Sequence, residues 1–117
     1  MSEIAQIRTF AGQLVYRVEP DCIRDFSGML VLRYDANTVR DVPGRLLLRV
    51  DRDRVADFSG QVLFLIASGT VKNFAGQVLY RYTTDALCDF SGRTLYRFSG
   101  ALPHVALCAF VAHLLPN

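Results

Sequence analysis

The chain contains a twelve-residue pattern, Leu87-Cys88-Asp89-Phe90-Ser91-Gly92-Arg93-Thr94-Leu95-Tyr96-Arg97-Phe98, which recurs in variant form to give six copies. The glycine of each copy follows the previous one by sixteen residues. These glycines are Gly12, Gly28, Gly44, Gly60, Gly76 and Gly92. A period this regular is typical of a repeat architecture. We predict one domain, with residues 1–6 as a leader, 7–102 as six repeats and 103–117 as a C-terminal segment.

Each copy has two runs rich in Val, Leu, Tyr and Phe on either side of an Ala-Gly, Ser-Gly or Pro-Gly pair. Such runs have strand composition, and a glycine between them indicates a β-hairpin. Six copies therefore predict six hairpins and twelve strands. The six glycines are predicted to be structural turn residues.

The third copy, with Asp41-Val42-Pro43-Gly44, guides the prediction of the turn. A type I turn would put proline in its third position, where it is disfavoured, whereas a type II turn with Pro second and Gly third is favourable. The resulting two-residue loop pairs residue 10 with 13 and residue 7 with 16. One face is then almost entirely apolar and the other carries two rows of Arg. The carboxylates expected at the rim, bonded to turn backbone, are Asp25, Asp41, Asp57 and Asp89.

The C-terminal segment is apolar on all sides between Pro103 and Pro116. Proline as the first helical residue and proline as a stop predict a helix, and an all-apolar helix is buried or lies in a membrane. About twelve residues make roughly 18 Å of helix, close to the length of a six-residue strand. No apolar run reaches the roughly 18 residues of a membrane span.

Twelve strands with one apolar face favour closure, because closure removes exposed edges. We predict an all-β fold, a closed or nearly closed antiparallel barrel of about twelve strands around, or capped by, the apolar helix. The alternative is a β-solenoid with sixteen residues per coil. In a solenoid Arg17, Arg33 and Arg49 would stack in a ladder of like charges, which is unfavourable.

The net charge of +2 is too small to indicate nucleic-acid binding by itself, although twelve of the thirteen basic residues are Arg. Three cysteines without metal-like spacing and an N-terminus without a secretory signal predict a cytoplasmic protein with reduced thiols. His104 and His113 are predicted at opposite ends of the helix, where they cannot share a metal ion. Cys108 is expected to be buried and inert.

The candidate contacts for an anion or a partner form one row on the outer face: Arg17, Arg33, Arg49, Arg81 and Arg97. Such a row is either a solvated wall or a surface for phosphates or single-stranded nucleic acid. Between the Arg rows lies a belt of aliphatic residues, Val15, Val31, Leu47, Leu63, Leu79 and Leu95. Either the stems of arginine side chains or another subunit would cover this belt.

The runs Val39-Arg40-Asp41-Val42-Pro43-Gly44 and residues 87–98 resemble the repeats of the bacterial domain family called the 4-fold beta flower, which has no assigned biochemical function. The resemblance covers residues 7–102, with six copies where the family name implies four. The predicted layout also resembles the tubby-like and phospholipid-scramblase-related fold, a twelve-stranded barrel around a hydrophobic C-terminal helix. The first resemblance implies a bacterial repeat domain, and the second implies lipid or nucleic-acid binding.

No catalytic, cofactor-binding or metal-binding residues are predicted. The Asp and Arg pairs recur in successive copies, whereas an active site is normally one asymmetric cluster, so we do not expect an enzyme. We expect a non-enzymatic structural or interaction module that associates with itself or with another protein. The alternative is a barrel that binds a small ligand, a lipid or a nucleic acid through its Arg rows or its lumen.

Overall fold

The computed structural model describes residues 3–115, and within that range twelve antiparallel strands form a closed barrel in which β1 pairs with β12. The strands are β1 Ala5–Thr9, β2 Leu14–Glu19, β3 Cys22–Asp25, β4 Leu30–Tyr34, β5 Thr38–Arg40, β6 Leu46–Asp51, β7 Arg54–Asp57, β8 Val62–Ala67, β9 Thr70–Lys72, β10 Val78–Tyr82, β11 Ala86–Asp89 and β12 Thr94–Gly100. The predicted twelve-stranded barrel is thus confirmed, and the β-solenoid is wrong. Strand β1 begins two residues inside the predicted leader.

The hairpin turns differ from the predicted type. In the second copy the Gly28 N–H donates to the Asp25 carbonyl at 3.0 Å, and the Asp25 N–H donates to the Met29 carbonyl at 2.9 Å. Gly28 has a φ of +94°, whereas Phe26 and Ser27 are not among the residues with positive φ. These features define a type I turn followed by a glycine bulge, with three residues in the loop. The predicted type II turn in a two-residue loop is therefore wrong.

The third copy, whose proline favoured a type II turn, forms the same turn as the others. The Gly44 N–H donates to the Asp41 carbonyl at 3.0 Å, so Pro43 lies in the disfavoured third position. The Asp41 carboxylate compensates, because its Oδ1 accepts from the N–H groups of Gly44 at 3.1 Å and Arg45 at 2.7 Å. The predicted bonding of the rim carboxylates to turn backbone is confirmed at Asp25, Asp41, Asp57 and Asp89.

A β-bulge in each hairpin restores the predicted pairing farther from the turn. Between β1 and β2, Arg8 pairs with Leu14 and Ile7 pairs with Tyr16, which leaves Val15 without a partner. The three-residue loop and the bulge offset each other, so the apolar side chains still share the inner face. The bulged residues are the six aliphatic residues of the predicted belt, Val15, Val31, Leu47, Leu63, Leu79 and Leu95.

The C-terminal segment fills the lumen, which in a twelve-stranded barrel is too wide for strand side chains alone. Helix α1 spans His104–Ala109 and continues as a π-helical turn, Phe110–Leu114. The seven consecutive residues from 105 to 111 are all buried. Pro103 is the N-cap, with ψ 150°, so the helix begins one residue later than predicted. The predicted stop, Pro116, lies outside the described residues.

The barrel is a disc of 37 × 33 × 23 Å. A six-residue strand is about 20 Å long, so the short dimension follows the barrel axis. We call the end with the six glycine turns the hairpin end and the opposite end the connector end. The Nε2 atom of His104 lies 3.0 Å from the Arg52 carbonyl oxygen at the connector end, so the helix enters there and finishes at the hairpin end. Over residues 3–115, no helix has the length and apolarity needed to cross a bilayer.

Candidate interaction surface

Six apolar side chains surround the hairpin end, and all of them point into solvent. Each occupies the second position of a glycine turn, and together we call them the phenylalanine crown: Phe10, Phe26, Val42, Phe58, Phe74 and Phe90. The five phenylalanines are exposed by 63% at the least exposed, Phe26, and by 80% at the most exposed, Phe74. Single exposed apolar residues are ordinary, but exposure at the same turn position in six copies makes this end a candidate surface for interaction.

The turns that carry the crown are held by polar contacts and not by the phenylalanines. In the fourth copy Oδ1 of Asp57 accepts from the Ser59 N–H at 2.9 Å, the Ser59 hydroxyl at 2.6 Å and the Gln61 N–H at 3.0 Å. The Ser59 hydroxyl is the main reason that the pKa of Asp57 lies below its ordinary value of 3.8. Asp25 and Asp89 make the same three contacts with their own loops. In these three copies the phenylalanine side chain takes no part in the hydrogen bonds that hold the turn.

The crown was missed from sequence because the two-residue loop placed residue 10 in a strand pair with residue 13. In the type I turn, the second residue instead projects outward from the tip. The signal that could have shown it is positional. Five of six copies carry Phe at one turn position that type I turns fill with almost any residue.

The crown surrounds the end of the terminal helix. Leu115, which is half-buried, lines a depression of about 430 Å³ at the hairpin end together with Phe10, Tyr80 and Tyr96. Asp89 and Arg93 also line this depression. The depression lies where the sixth and first copies meet, so it breaks the sixfold repetition of the crown. The hairpin end thus presents projecting aromatic rings and, on one side, a recess with a mainly apolar lining.

The predicted Arg residues lie on the outer wall, where Arg17, Arg33, Arg49, Arg81 and Arg97 are all exposed. Four of them form one series with the second Arg row, which consists of Arg8, Arg24 and Arg40. The series covers seven consecutive strands, β12 and β1–β6. We call this series the arginine arc, and it consists of Arg97, Arg8, Arg17, Arg24, Arg33, Arg40 and Arg49. Three pairs within it are directly opposed across neighbouring strands: Arg8 with Arg97, Arg17 with Arg24, and Arg33 with Arg40.

The arc ends at the fourth copy, where Ala56 and Leu65 take the places of arginine. Arg81 lies outside the arc, and its Nε donates to the Phe90 carbonyl at 3.0 Å, beneath the crown. Within the arc, Arg24 forms an ion pair with Glu19 at 3.3 Å and also donates to the Gly28 carbonyl at 3.1 Å. The arc is therefore partly neutralised and touches the hairpin end from the side.

The aliphatic belt is not the continuous exposed surface that the sequence indicated. Val31 and Leu47 pack against the buried core. Leu63 and Leu79 are the most exposed belt residues, at 39% and 37%, which is little more than half the exposure of the least exposed crown phenylalanine. The bulges explain why the belt is not a continuous exposed row, because each belt residue lies outside the regular inward and outward alternation of its strand.

Three potential metal ligands converge at the β2–β3 connector, with donor atoms of Glu19, Asp21 and Cys22 within 4.8 Å of one another. The Cys22 thiol donates to Oε1 of Glu19 at 3.2 Å, and burial raises the pKa of Cys22 to about 11. The thiol is therefore protonated near neutral pH and already satisfied. Together with the Arg24–Glu19 pair, these contacts account for the cluster without an ion.

The remaining sequence candidates lie where they were expected. His104 is exposed at the connector end, and His113 is exposed in the last helical turn. Cys108 is fully buried, and burial raises the pKa of its thiol to about 12. The predicted burial of this cysteine is thus confirmed.

Comparisons of the chain with protein-family models, with curated proteins and with solved structures find no match. The roles of the crown and the arc are therefore inferred from their geometry and charge.

Proposed function

We propose that this chain is a non-enzymatic interaction module and that the phenylalanine crown is its working surface. The observation that supports the proposal is the exposure of five phenylalanines by more than 60% around one end of the barrel. Removing a phenylalanine side chain from water is worth about 1.5–3 kcal/mol. A partner that covers several of these rings would gain that free energy, which the isolated chain leaves unused.

The alternative explanation is that the phenylalanines stabilise the barrel. Their positions argue against it, because the first residue of each turn, an Asp, Asn or Thr, holds the loop by a side-chain hydrogen bond and the core lies inside the barrel. A protein that needs only a turn at this position gains nothing from a large apolar residue. Large apolar residues that remain exposed on one face are instead typical of an interface whose partner is absent.

The test replaces the five crown phenylalanines with serine: Phe10→Ser, Phe26→Ser, Phe58→Ser, Phe74→Ser and Phe90→Ser. We expect the variant to keep a cooperative melt, because surface substitutions change the stability of the single chain by about 0.5 kcal/mol or less each. Circular dichroism and urea titration measure this directly. Loss of the fold in this variant would show that the crown is structural and would contradict the proposal.

A second candidate function is supported by the arginine arc. Like charges placed directly opposite on neighbouring strands destabilise a sheet, and Arg33 with Arg40 is such a pair. A bound polyanion would relieve this repulsion. We expect a single-stranded oligonucleotide or an anionic vesicle to bind at low salt and to be released at high salt, because phosphate contacts weaken as counterions accumulate. Equal binding by the chain carrying Arg33→Glu and Arg17→Glu would contradict this role.

A ligand inside the lumen is the least favoured function, because the helix occupies that space and residues 105–111 are buried there. Such a ligand would first have to displace Phe110 from its aromatic contacts. A cytoplasmic location, a bacterial origin and the resemblance to the beta flower domain remain predictions from the sequence.

A further inference from the structure

We propose that the partner of the crown is a second copy of this chain, docked hairpin end to hairpin end in a two-fold symmetric dimer. This inference rests on the proposed function, since it names the occupant of the same surface. In such an isologous contact the same patch is used on both chains, so every projecting group needs a matching recess on the patch itself. The hairpin end supplies both.

The projecting groups are the crown phenylalanines, led by Phe74, which is 80% exposed. The recess is the depression of about 430 Å³ bounded by Phe10, Tyr80, Tyr96 and Leu115. Its walls are mainly apolar, with Asp89 and Arg93 also lining it, and its size suits an aromatic side chain inserted from outside. Phe74 is carried by the β9–β10 turn, and Tyr80 lies on β10, so projection and recess occupy neighbouring sectors of one face. A two-fold rotation can therefore bring each into the other.

The size of the face suits a stable dimer. A disc of 37 × 33 Å has an end of the right scale. An ellipse of these dimensions covers about 960 Å², and standard protein interfaces bury about 800 Å² on each partner. The crown forms the perimeter of this face and the helix end lies within it. Docking would cover the exposed apolar residues of the hairpin end on both chains at once.

The charges of the face favour a copy of itself over an anionic lipid surface. The turns carry the carboxylates of Asp25, Asp57 and Asp89, whose pKa values are all lowered by hydrogen bonds within the loop, mainly from serine hydroxyls. They stay ionised at neutral pH beside the phenylalanines. Arginine is present at the same level, since Arg24 reaches the Gly28 carbonyl at 3.1 Å. A face that carries both signs complements a rotated copy of itself, whereas its carboxylates would repel anionic head groups.

Sedimentation equilibrium and light scattering over a wide concentration range test the proposal with the full chain. We expect a mass twice the 13.1 kDa of one chain. The variant Phe74→Ser should dissociate at least tenfold more readily, and the five-serine variant should be monomeric. The matched control is Leu63→Ser with Leu79→Ser on the outer wall, which should leave the dimer intact. Melting curves of each variant establish that it is folded.

Each other outcome overturns the inference. Dissociation by the outer-wall variant but not by Phe74→Ser would show that the dimer uses the aliphatic belt. A parent chain that is monomeric at every concentration would exclude the second copy, while the five-serine melt still tests separately whether the crown is structural. A monomer that binds vesicles of anionic lipid, and loses binding in the five-serine variant, would make the membrane the partner instead.

Discussion

The ring of Phe110 meets the ring of Tyr96 edge-on, with the two centroids 5.1 Å apart and the planes at 86°. Tyr16 and Phe98 approach the same ring at centroid distances of 6.0 and 6.2 Å, also at steep angles. These partners lie on β2 and β12, the two strands that flank β1. One side chain at the start of the π-helical turn thus joins the helix to the sector where the barrel closes. Edge-to-face contacts of this kind add to the gain from burial alone.

The substitution Phe110→Ala should lower the free energy of unfolding by about 3–5 kcal/mol, because it removes a fully buried ring and leaves a cavity among three aromatic side chains. Urea titration measures the change. The matched control is Phe74→Ala, an exposed phenylalanine of the crown, which should change monomer stability by about 0.5 kcal/mol or less. Similar losses in the two variants would mean that Phe110 is not part of the core.

Removal of residues 103–117 tests the whole helix at once. The lumen would lose Val105–Val111, and the apolar inner face of the strands would meet water. We expect the shortened chain to lose its cooperative thermal melt or to aggregate, as circular dichroism and light scattering would show. If the shortened chain remained folded with an unchanged melting temperature, the helix would be an appendage and not the centre of the core.

Closure of the barrel depends on close backbone approach at Gly100, which has a φ of +80°. A Cβ atom there would lie 2.3 Å from the Ile4 carbonyl oxygen, whereas a Cβ at Gly60, with a φ of +93°, would meet nothing within 4 Å. Gly60→Ala should cost about 1–2 kcal/mol from backbone strain alone. Gly100→Ala should cost a further 1–3 kcal/mol or so, because the β1 backbone must move. Equal costs for the two alanines would show that β1 yields freely.

The rim carboxylates predict a dependence of stability on acid. The pKa values of Asp25, Asp57 and Asp89 are lowered in the folded chain from 3.8, first by the serine hydroxyl of each loop and then by backbone N–H groups. A carboxyl with a lowered pKa stabilises the fold fully above its unfolded pKa, and that contribution is lost as pH falls through the folded pKa. We therefore expect the melting temperature to decrease as the pH drops below about 4. Between about pH 5 and 7 these groups should leave the melting temperature nearly constant.

Serine variants separate this effect from general acid unfolding. Combined Ser27→Ala, Ser59→Ala and Ser91→Ala removes the largest cause of the lowered pKa values, so the melting temperature should be lower at pH 7 and its fall in acid should be smaller. Ser99→Ala, on β12, is the matched control and should follow the parent curve. An acid transition unchanged in the triple variant would assign the pH dependence to other groups.

The barrel could be predicted because its causes are repeated in the sequence. The sixteen-residue period predicts six equal hairpins. The apolar C-terminal segment, which is about as long as a strand, can be buried only inside the barrel that these hairpins form. The turn type could not be predicted by the same reasoning, because the prediction relied on the preference of Pro43 for the second position of a type II turn. The hydrogen bonds of Asp41 to its own loop outweigh that preference. The bulge at Val15 then corrects the register, so a wrong turn still led to the correct faces.

The phenylalanine crown was not predicted because the turn was assigned the wrong type. With residue 10 counted as the last strand residue, its apolar side chain needed no explanation, and the aliphatic belt became the candidate interface. The π-helical turn, Phe110–Leu114, also has no signal in the sequence. The rings of Tyr16, Tyr96 and Phe98 surround its first side chain. The hairpin turn depends on hydrogen bonds within each loop, and the sixteen-residue period does not describe those bonds.

The arginine arc leads to a prediction about charge, because Arg33 and Arg40 face each other on β4 and β5. Arg33→Glu replaces repulsion with attraction and should raise the free energy of unfolding by about 0.2–1 kcal/mol, with a smaller gain in high salt. Arg49→Glu is the matched control, since Arg49 faces Ala56 on β7 and Thr38 on β5. It should gain less. A stabilised Arg33→Glu chain that also binds a polyanion more weakly would mean that the arc sacrifices stability for contact with an anion, whereas equal changes in the two variants would show that the opposed arginines do not repel.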